Sequence, residues 1–203
     1  MTRTRSAGLR DGLIAAADEL MDDAPPGGLT TRQIARHAGV SDGVLYNHFA
    51  DRDALISAAL VRRYTRLVSA FEDRLARAGT DTALEAWLGA YIRALRDLEV
   101  DALHLAAGLF SQPALLQAFW VDIHGAPLGL HRLEMPLVTR LLAARDAGTV
   151  AETADIRAAT TTIFGIATMN ALSVRLNHSA ARERLERDLD AAVALVAAGL
   201  EPR

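Results

Sequence analysis

The sequence predicts an all-α protein: a small N-terminal three-helix head and a larger helical body. Three observations carry that prediction. Apolar residues recur at helical spacing nearly throughout, with no alternating strand pattern. Ala and Leu dominate while only 5% of residues are aromatic, a composition that favours helix. Clusters of Gly and Pro cut the chain into helix-length pieces. With 203 residues, 51% of them hydrophobic, the chain can bury a sizeable core.

Each element has its own justification. Leu13, Ile14, Ala17, Leu20 and Met21 form the inner face of a first helix, which "APPGG" at 24–28 stops. Thr30 or Thr31 caps a second helix that carries Ile34, Ala35 and Ala38 inward. Gly39 ends it, and Ser41 or Asp42 caps a third. Asp51 is the expected N-cap of a long fourth helix, whose apolar face follows Leu55, Ala59, Leu67, Val68, Phe71 and Leu75. "AGTDT" at 78–82 breaks it. Residues 82–110 read as one or two helices, with Trp87, Leu88, Tyr91, Leu95 and Leu98 on one face. Pro113, Pro127 and Pro136 punctuate the middle of the chain. Residues 128–146 are helical and close at "ARDAGTV". Residues 154–177 and 180–199 make the last two helices, joined by "NHSA". The boundary between head and body falls at residue 50, giving 1–50 and 51–203.

Composition removes several classes. There is no Cys, which excludes disulfides and thiolate metal sites and suits a reducing cytoplasm. The N-terminus "MTRTRSAGLRDG" lacks an apolar signal core, and no apolar run approaches membrane-spanning length. A soluble, cytoplasmic chain with no membrane partner is expected. All 22 basic residues are Arg, for which a GC-rich coding bias suffices, and the net charge of −3 does not announce a nucleic-acid partner. No nucleophile elbow, phosphate loop or paired-carboxylate signature is present, so no catalysis and no cofactor are expected. His124 and His131, with Glu134, have the spacing of a shared helical face, but Pro127 intervenes, and no metal is expected.

The stretch from 31 to 49 fits a helix-turn-helix. Two helices that cross closely need a small residue at the contact, and Ala35 stands there. The turn needs a residue at ease with positive φ, and Gly39 supplies it. Ile34, Ala38, Val40, Leu45 and Phe49 fall on the inward side. The spacing Ala35–Gly39–Leu45 is the usual one for the motif. An ordinary helical hairpin in a core would also accept this pattern.

Wider context narrows it. Leu29-Thr30-Thr31-Arg32, Ile34-Ala35, Ala38-Gly39-Val40-Ser41, Leu45-Tyr46 and His48-Phe49, followed by Asp51-Arg52-Asp53-Ala54-Leu55, resemble the DNA-binding domain of the TetR (tetracycline repressor) family. The match is close over residues 10–60; beyond it only length and helix layout agree. The resemblance implies that the third helix enters the major groove of double-stranded operator DNA. Thr31, Tyr46 and His48 match phosphate-contacting positions, and Arg32 matches a base-reading one. An Arg there can take guanine O6 and N7 together. Ser41, at the start of the reading helix, is a further DNA-binding candidate, and Asp42, Gly43, Val44 and Asn47 occupy its variable groove-facing positions. Arg52 stands where the family usually has Lys, keeping the charge.

The head is not basic. Residues 1–60 hold six Arg against eight Asp plus Glu. Asp18, Glu19, Asp22 and Asp23 cluster at the end of the first helix, while Arg32, Arg36 and Arg52 remain on the contact strip and Arg3, Arg5 and Arg10 on an N-terminal arm. Phosphate attraction is therefore expected to be local. The arm suits either DNA contact or a merely solvated tail.

In the body, Ile156, Ala159, Thr160, Ile163, Phe164, Ala167 and Ala171 form one apolar stripe and Leu185, Leu189, Ala192, Val193 and Val196 another. Such stripes serve as internal core or as a seam between copies. The resemblance implies the seam of a homodimer, which two operator half-sites also require. It further implies a small-molecule effector, for which Trp87, Tyr91, His104, Phe119, Trp120, Phe164 and Asn170 are the candidate lining. Gly108, Gly125 and Gly129 read as breaks that leave room between helices. Few polar groups lie there, so an uncharged or weakly charged effector is expected. The implied function is a homodimeric repressor released by its effector. Two rivals use the same fold: an all-α enzyme, and a DNA-binding protein that answers no ligand.

Overall fold

The computed structural model describes residues 2–79, 82–125, 128–176 and 182–202, with side chains described for all of these except 2–6, 104, 106 and 107. The "NHSA" connection at 177–180 thus lies outside the described residues. Among the described residues the elements are helices: α1 (Thr2–Leu20), α2 (Thr31–His37), α3 (Asp42–Tyr46), α4 (Arg52–Ala78), α5 (Leu84–Leu109), α6 (Pro113–Gly125), α7 (His131–Asp146), α8 (Ile156–Leu176) and α9 (Arg182–Leu200). The predicted all-α class is observed. No described helix is long and apolar enough to cross a membrane.

The chain forms two compact units, residues 1–66 with 104–128 and residues 67–103 with 129–203. Residue 50 lies between α3 and α4. In the first unit, Leu13, Ala17, Ile34, Leu45, Leu55, Ile56 and Leu60 are fully buried or nearly so. α1 packs on α2, and α2 on α3. α6 joins this unit: Asp122 accepts a 2.6 Å hydrogen bond from the buried Ser57 hydroxyl of α4. The second unit is built around Phe71, Leu88, Tyr91, Leu95, Leu137, Leu141, Ile163 and Ala167, all with no measurable exposure. There α7 packs on α8 and α8 on α9.

Local chemistry sets the helix ends. Thr30 caps α2 through a capping box: its hydroxyl accepts from the Gln33 backbone N–H at 3.2 Å, and the Gln33 side chain accepts from the Thr30 N–H at 2.8 Å. Asp51 caps α4 by accepting from the Ala54 N–H at 2.8 Å, as expected. Asp155 does the same for α8, accepting from Ala158 at 3.0 Å. α7 ends at Gly148, whose φ of 74° lets Gly148 and Thr149 donate back to the carbonyls of Arg145 and Ala144.

Several expectations about the middle of the chain need correction. Residues 113–125 form a helix that the sequence analysis does not assign. Pro113 opens it, where its missing N–H costs nothing, so this proline starts an element. Pro136 sits inside α7, which lacks the one backbone bond that its N–H would have made. Gly108 is not a break. It lies within α5, and a Cβ there would meet Pro26 at 3.1 Å, so its small size admits the Pro25–Pro26 turn.

The α8 stripe proves to be internal core: Ala159, Thr160, Ile163, Ala167 and Ala171 are buried, as are Leu189 and Val193 of α9. A second apolar set faces outward. Met169, Leu172, Leu176 and Leu195 are 62%, 39%, 71% and 76% exposed.

Candidate nucleic-acid interface

The geometry of α2 and α3 starts at their shared turn. Gly39 has φ 69°, a conformation that costs a residue with a Cβ about 1–2 kcal/mol. In that conformation the Gly39 N–H donates to Arg36 at 3.2 Å and the Val40 N–H to Ala35 at 2.9 Å. This is a Schellman closure, and it reverses the chain within a few residues. Ile34, Ala35 and Leu45 are at most 1% exposed, and Phe49 is buried behind them. The inner contacts of the motif are thus as expected, with Ala38 and Val40 half-buried.

Burying Leu45 and Phe49 determines what α3 turns outward. Ser41, Asp42, Gly43, Tyr46 and Asn47 are exposed, and Val44 and His48 are half-buried. The Tyr46 ring, although large and mostly apolar, is 55% exposed. Its hydroxyl lies 3.5 Å from the Thr31 hydroxyl, so two expected phosphate-contacting groups stand side by side. Arg32 is exposed one residue further along α2. The structure therefore brings Thr31, Arg32, Tyr46 and the α3 face together.

Arg52 is arranged differently. Its Nε donates to the Leu29 carbonyl at 2.5 Å, one terminal nitrogen to the Pro26 carbonyl at 2.7 Å, and the other to Asp53 at 2.6 Å. Two of its five donors brace the segment before α2 and a third pairs with Asp53 of its own helix, leaving two for other partners.

Two residues read from the sequence only as an arm cation and a member of an acidic cluster, Arg10 and Asp18, have supporting roles in the fold. Arg10 lies over the Phe49 ring, 4.8 Å from its centroid, a cation–π contact that joins α1 to the end of the motif. α1 itself runs back to Thr2, so the backbone of the arm is helical; the Arg3 and Arg5 side chains lie outside the described ones. Asp18 is only 5% exposed. It accepts from Arg63 Nε at 2.7 Å and from two nitrogens of Arg66, while Arg63 also reaches the Asp18 carbonyl and Asp22, both at 2.6 Å. Burial alone would raise the Asp18 pKa, but the hydrogen bonds and charges of Arg66 and Arg63 outweigh it and hold the carboxyl below its ordinary range. A signal existed: position 18 follows Ile14 by four residues and so falls on the buried stripe, where a carboxylate needs a cation.

Residues 13–59 match the sequence profile described as bacterial regulatory proteins, tetR family. The match covers the N-terminal segment that holds α2, α3 and the start of α4. TetR-family solved structures share its fold. A putative TetR-family transcriptional regulator from Mesorhizobium loti superposes with TM-score 0.72 at 21% identity, covering 98% of this chain and 99% of that one. The flavonoid-responsive regulator FrrA gives 0.63 at 21%, covering 97% and 99%. FadR from Bacillus subtilis, in complex with stearoyl-CoA, gives 0.58 at 18%, covering 94% and 98%. No curated protein matches the chain. The matched segment is that of a DNA-binding transcriptional regulator of this family.

The expected effector lining distributes over both units. In the second unit Trp87 stacks on Tyr91 with centroids 5.4 Å apart, and Phe71 meets Tyr91 edge-on at 5.6 Å. The Tyr91 hydroxyl donates to the Leu133 carbonyl at 2.7 Å. Burial, then the nearby Glu134 and Glu99, push its pKa well up, so it stays a neutral donor. Asn170 is buried and donates to the Leu185 carbonyl at 3.3 Å, which ties α8 to α9; its Oδ1 accepts nothing among the described residues. Phe164 is half-buried on α8. In the first unit Phe119 meets Tyr64 edge-on at 6.3 Å, and Trp120, 46% exposed, lies against His124. His104 stands on α5 with its side chain outside the described ones. Of the seven, Trp87 lines an open cleft of about 740 Å³ between the end of α4 and α7. Among the described residues no three His, Asp or Glu side chains group to hold a metal ion.

Proposed function

We propose that this TetR-family regulator is a homodimeric cytoplasmic repressor that binds double-stranded operator DNA through α3 and is released by a small, mostly apolar effector. It carries out no catalysis. The observation that carries the DNA half is the outward set on α3: burial of Leu45 and Phe49 leaves Ser41, Asp42, Gly43, Tyr46 and Asn47 exposed beside Thr31 and Arg32. Thr31, Tyr46 and His48 position the protein on phosphates, with the free donors of Arg52 assisting. Arg32 and Asn47 read base edges, and Asp42 and Val44 add selectivity. Residues 1–50 form the DNA-binding part and 51–203 the effector-binding and dimerising part.

The dimer half rests on α8 and α9. Met169, Leu172, Leu176 and Leu195 would place a wide apolar surface in water if the chain were alone. Around them Gly165, Ala191, Ala194 and Ala198 are exposed and small, which suits close helix approach. A symmetric dimer presents two reading helices to half-sites about 34 Å apart. For release, the effector must bind the DNA-incompetent state better than the competent one.

Operator selection from random DNA, followed by binding measurements, tests this reading. Tyr46→Phe is expected to weaken all sites similarly. Arg32→Ala is expected to relax preference at one base pair, at a cost of about 1–3 kcal/mol. An Arg32→Ala protein with unchanged operator and affinity would remove that residue from the reading set. Failure to select any sequence would overturn the DNA function itself.

A further inference from the structure

The cleft between α4 and α7 carries a charge that the effector reading does not anticipate. Glu72, Leu75 and Ala76 line it from one face of α4. Arg132, Pro136 and Arg140 line it from one face of α7, at helical spacing. From Arg132 to Ala143 that face runs about 16 Å, so the cleft is a trough. Three of its lining residues are charged. Glu72 and Arg132 are committed to each other through bonds of 3.1 and 2.6 Å. Arg140 has no carboxylate partner among the described residues. One terminal nitrogen donates to the Thr82 carbonyl at 2.6 Å, and its buried Nε donates to nothing among the described residues. A guanidinium stays charged under all ordinary conditions, and Arg140 lines the cleft. Apolar walls with one cation that has no carboxylate partner among the described residues fit a molecule with an apolar chain and one negative end.

We propose that this cleft binds a linear amphiphilic monoanion, with Arg140 holding the anionic end and the α4 and α7 walls holding the chain. The site deepens the effector reading and rests on it only for the consequence at DNA. It also narrows the expected effector, from uncharged or weakly charged to singly anionic.

Decanoate, decanol and acetate are suitable probes. In a Trp120→Phe background the remaining Trp, Trp87, lines the cleft and reports occupancy by its emission. Decanoate is expected to bind saturably and more tightly than decanol, and acetate not to bind. Arg140→Leu is expected to weaken decanoate by about tenfold or more while leaving decanol unchanged, and Arg140→Lys to restore part of the loss. Circular dichroism checks that each variant is folded. Should Arg140→Leu fail to fold, the decanoate-to-decanol ratio in the unaltered side chain decides, and a ratio of one overturns the proposal. Absence of decanoate binding, or binding unmoved by Arg140→Leu, overturns it equally. Decanoate that binds in this way without releasing operator DNA sustains the site and sinks the effector reading. Operator release by decanol with no preference for the anion does the reverse.

Discussion

Residues 31–49 and residues 156–200 use apolar side chains in opposite ways. In α2 and α3 the apolar residues are confined to one side. Ile34, Ala35 and Leu45 are buried, and the outward positions are Arg32, Gln33, Arg36 and His37 of α2 and Asp42, Gly43 and Tyr46 of α3, flanked by Ser41 and Asn47. α8 is apolar on two sides. Ile163, Ala167 and Ala171 are fully buried, while Met169 and Leu176 are more than half exposed. A helix that is polar outside has finished its packing within the protomer. A helix that is apolar all round has a second surface still to bury. The first pair therefore offers specific polar groups to a polar partner, and the second pair offers area to another apolar surface.

Substitutions on the two sides of α8 break this comparison most sharply. Ala167→Asp places a charge at a position with no exposure and is expected to destabilise the second unit by about 3–5 kcal/mol. Leu172→Asp, at 39% exposure, is expected to leave the protein folded but monomeric. Thermal unfolding and sedimentation read the two outcomes. A Leu172→Asp protein that remains dimeric would remove the outer face from the seam.

The two units also differ in how acid acts on them. In the first, the Asp18 carboxyl is held below its ordinary pKa by Arg66 and Arg63 against the opposing effect of burial. Its stabilisation is present above about pH 4 and is lost as pH falls through the lowered value. In the second, burial pushes Glu99 from 4.5 to about 7, opposed by a hydrogen bond from the Thr168 hydroxyl. The Glu99 contribution has the opposite sign. It is present below about pH 4 and is lost as pH rises through about 7. Asp18→Asn is expected to cost about 2–3 kcal/mol at neutral pH, because it leaves the Arg cluster unpaired. Glu99→Gln is expected to flatten the decline in stability between pH 5 and pH 8. Denaturant unfolding at several pH values measures both, and a Glu99→Gln protein with an unchanged pH profile would count against the raised pKa.

The smallest expected effect lies in the turn. Gly39→Ala should lose about 1 kcal/mol or slightly more, since its φ of 69° disfavours a Cβ. Open space surrounds that Cβ position, so the cost is in the backbone alone. DNA affinity is expected to fall with it, because the turn sets the angle of α3. Stability that is unchanged by Gly39→Ala would show that the turn tolerates another conformation.

The motif and its capping residues were legible because their causes are local. Thr30 with Gln33, Gly39 and Asp51 act within four residues of the backbone groups they satisfy. The α3 face followed from Leu45 and Phe49, since burying those two leaves the others outside. Arg52 was less legible: a cation at the start of a helix reads as a free phosphate contact, and only the fold brings the Leu29 and Pro26 carbonyls to it.

The sequence by itself determined the helical class, the caps of α2 and α4 and the outward face of α3, because each depends on spacing or on a neighbour a few residues away. The tertiary structure decided which side of α8 is core, which units Phe119 and Tyr91 belong to, and that α6 is a helix opened by its proline. It also decided the partners of charged groups. Asp18 meets Arg63 and Arg66 more than forty positions along, and Glu72 neutralises Arg132 sixty positions away, while Arg140 has no carboxylate partner among the described residues. The physical reason is range: a hydrogen bond acts over about 3 Å, and no spacing rule states which distant residues the fold will bring that close.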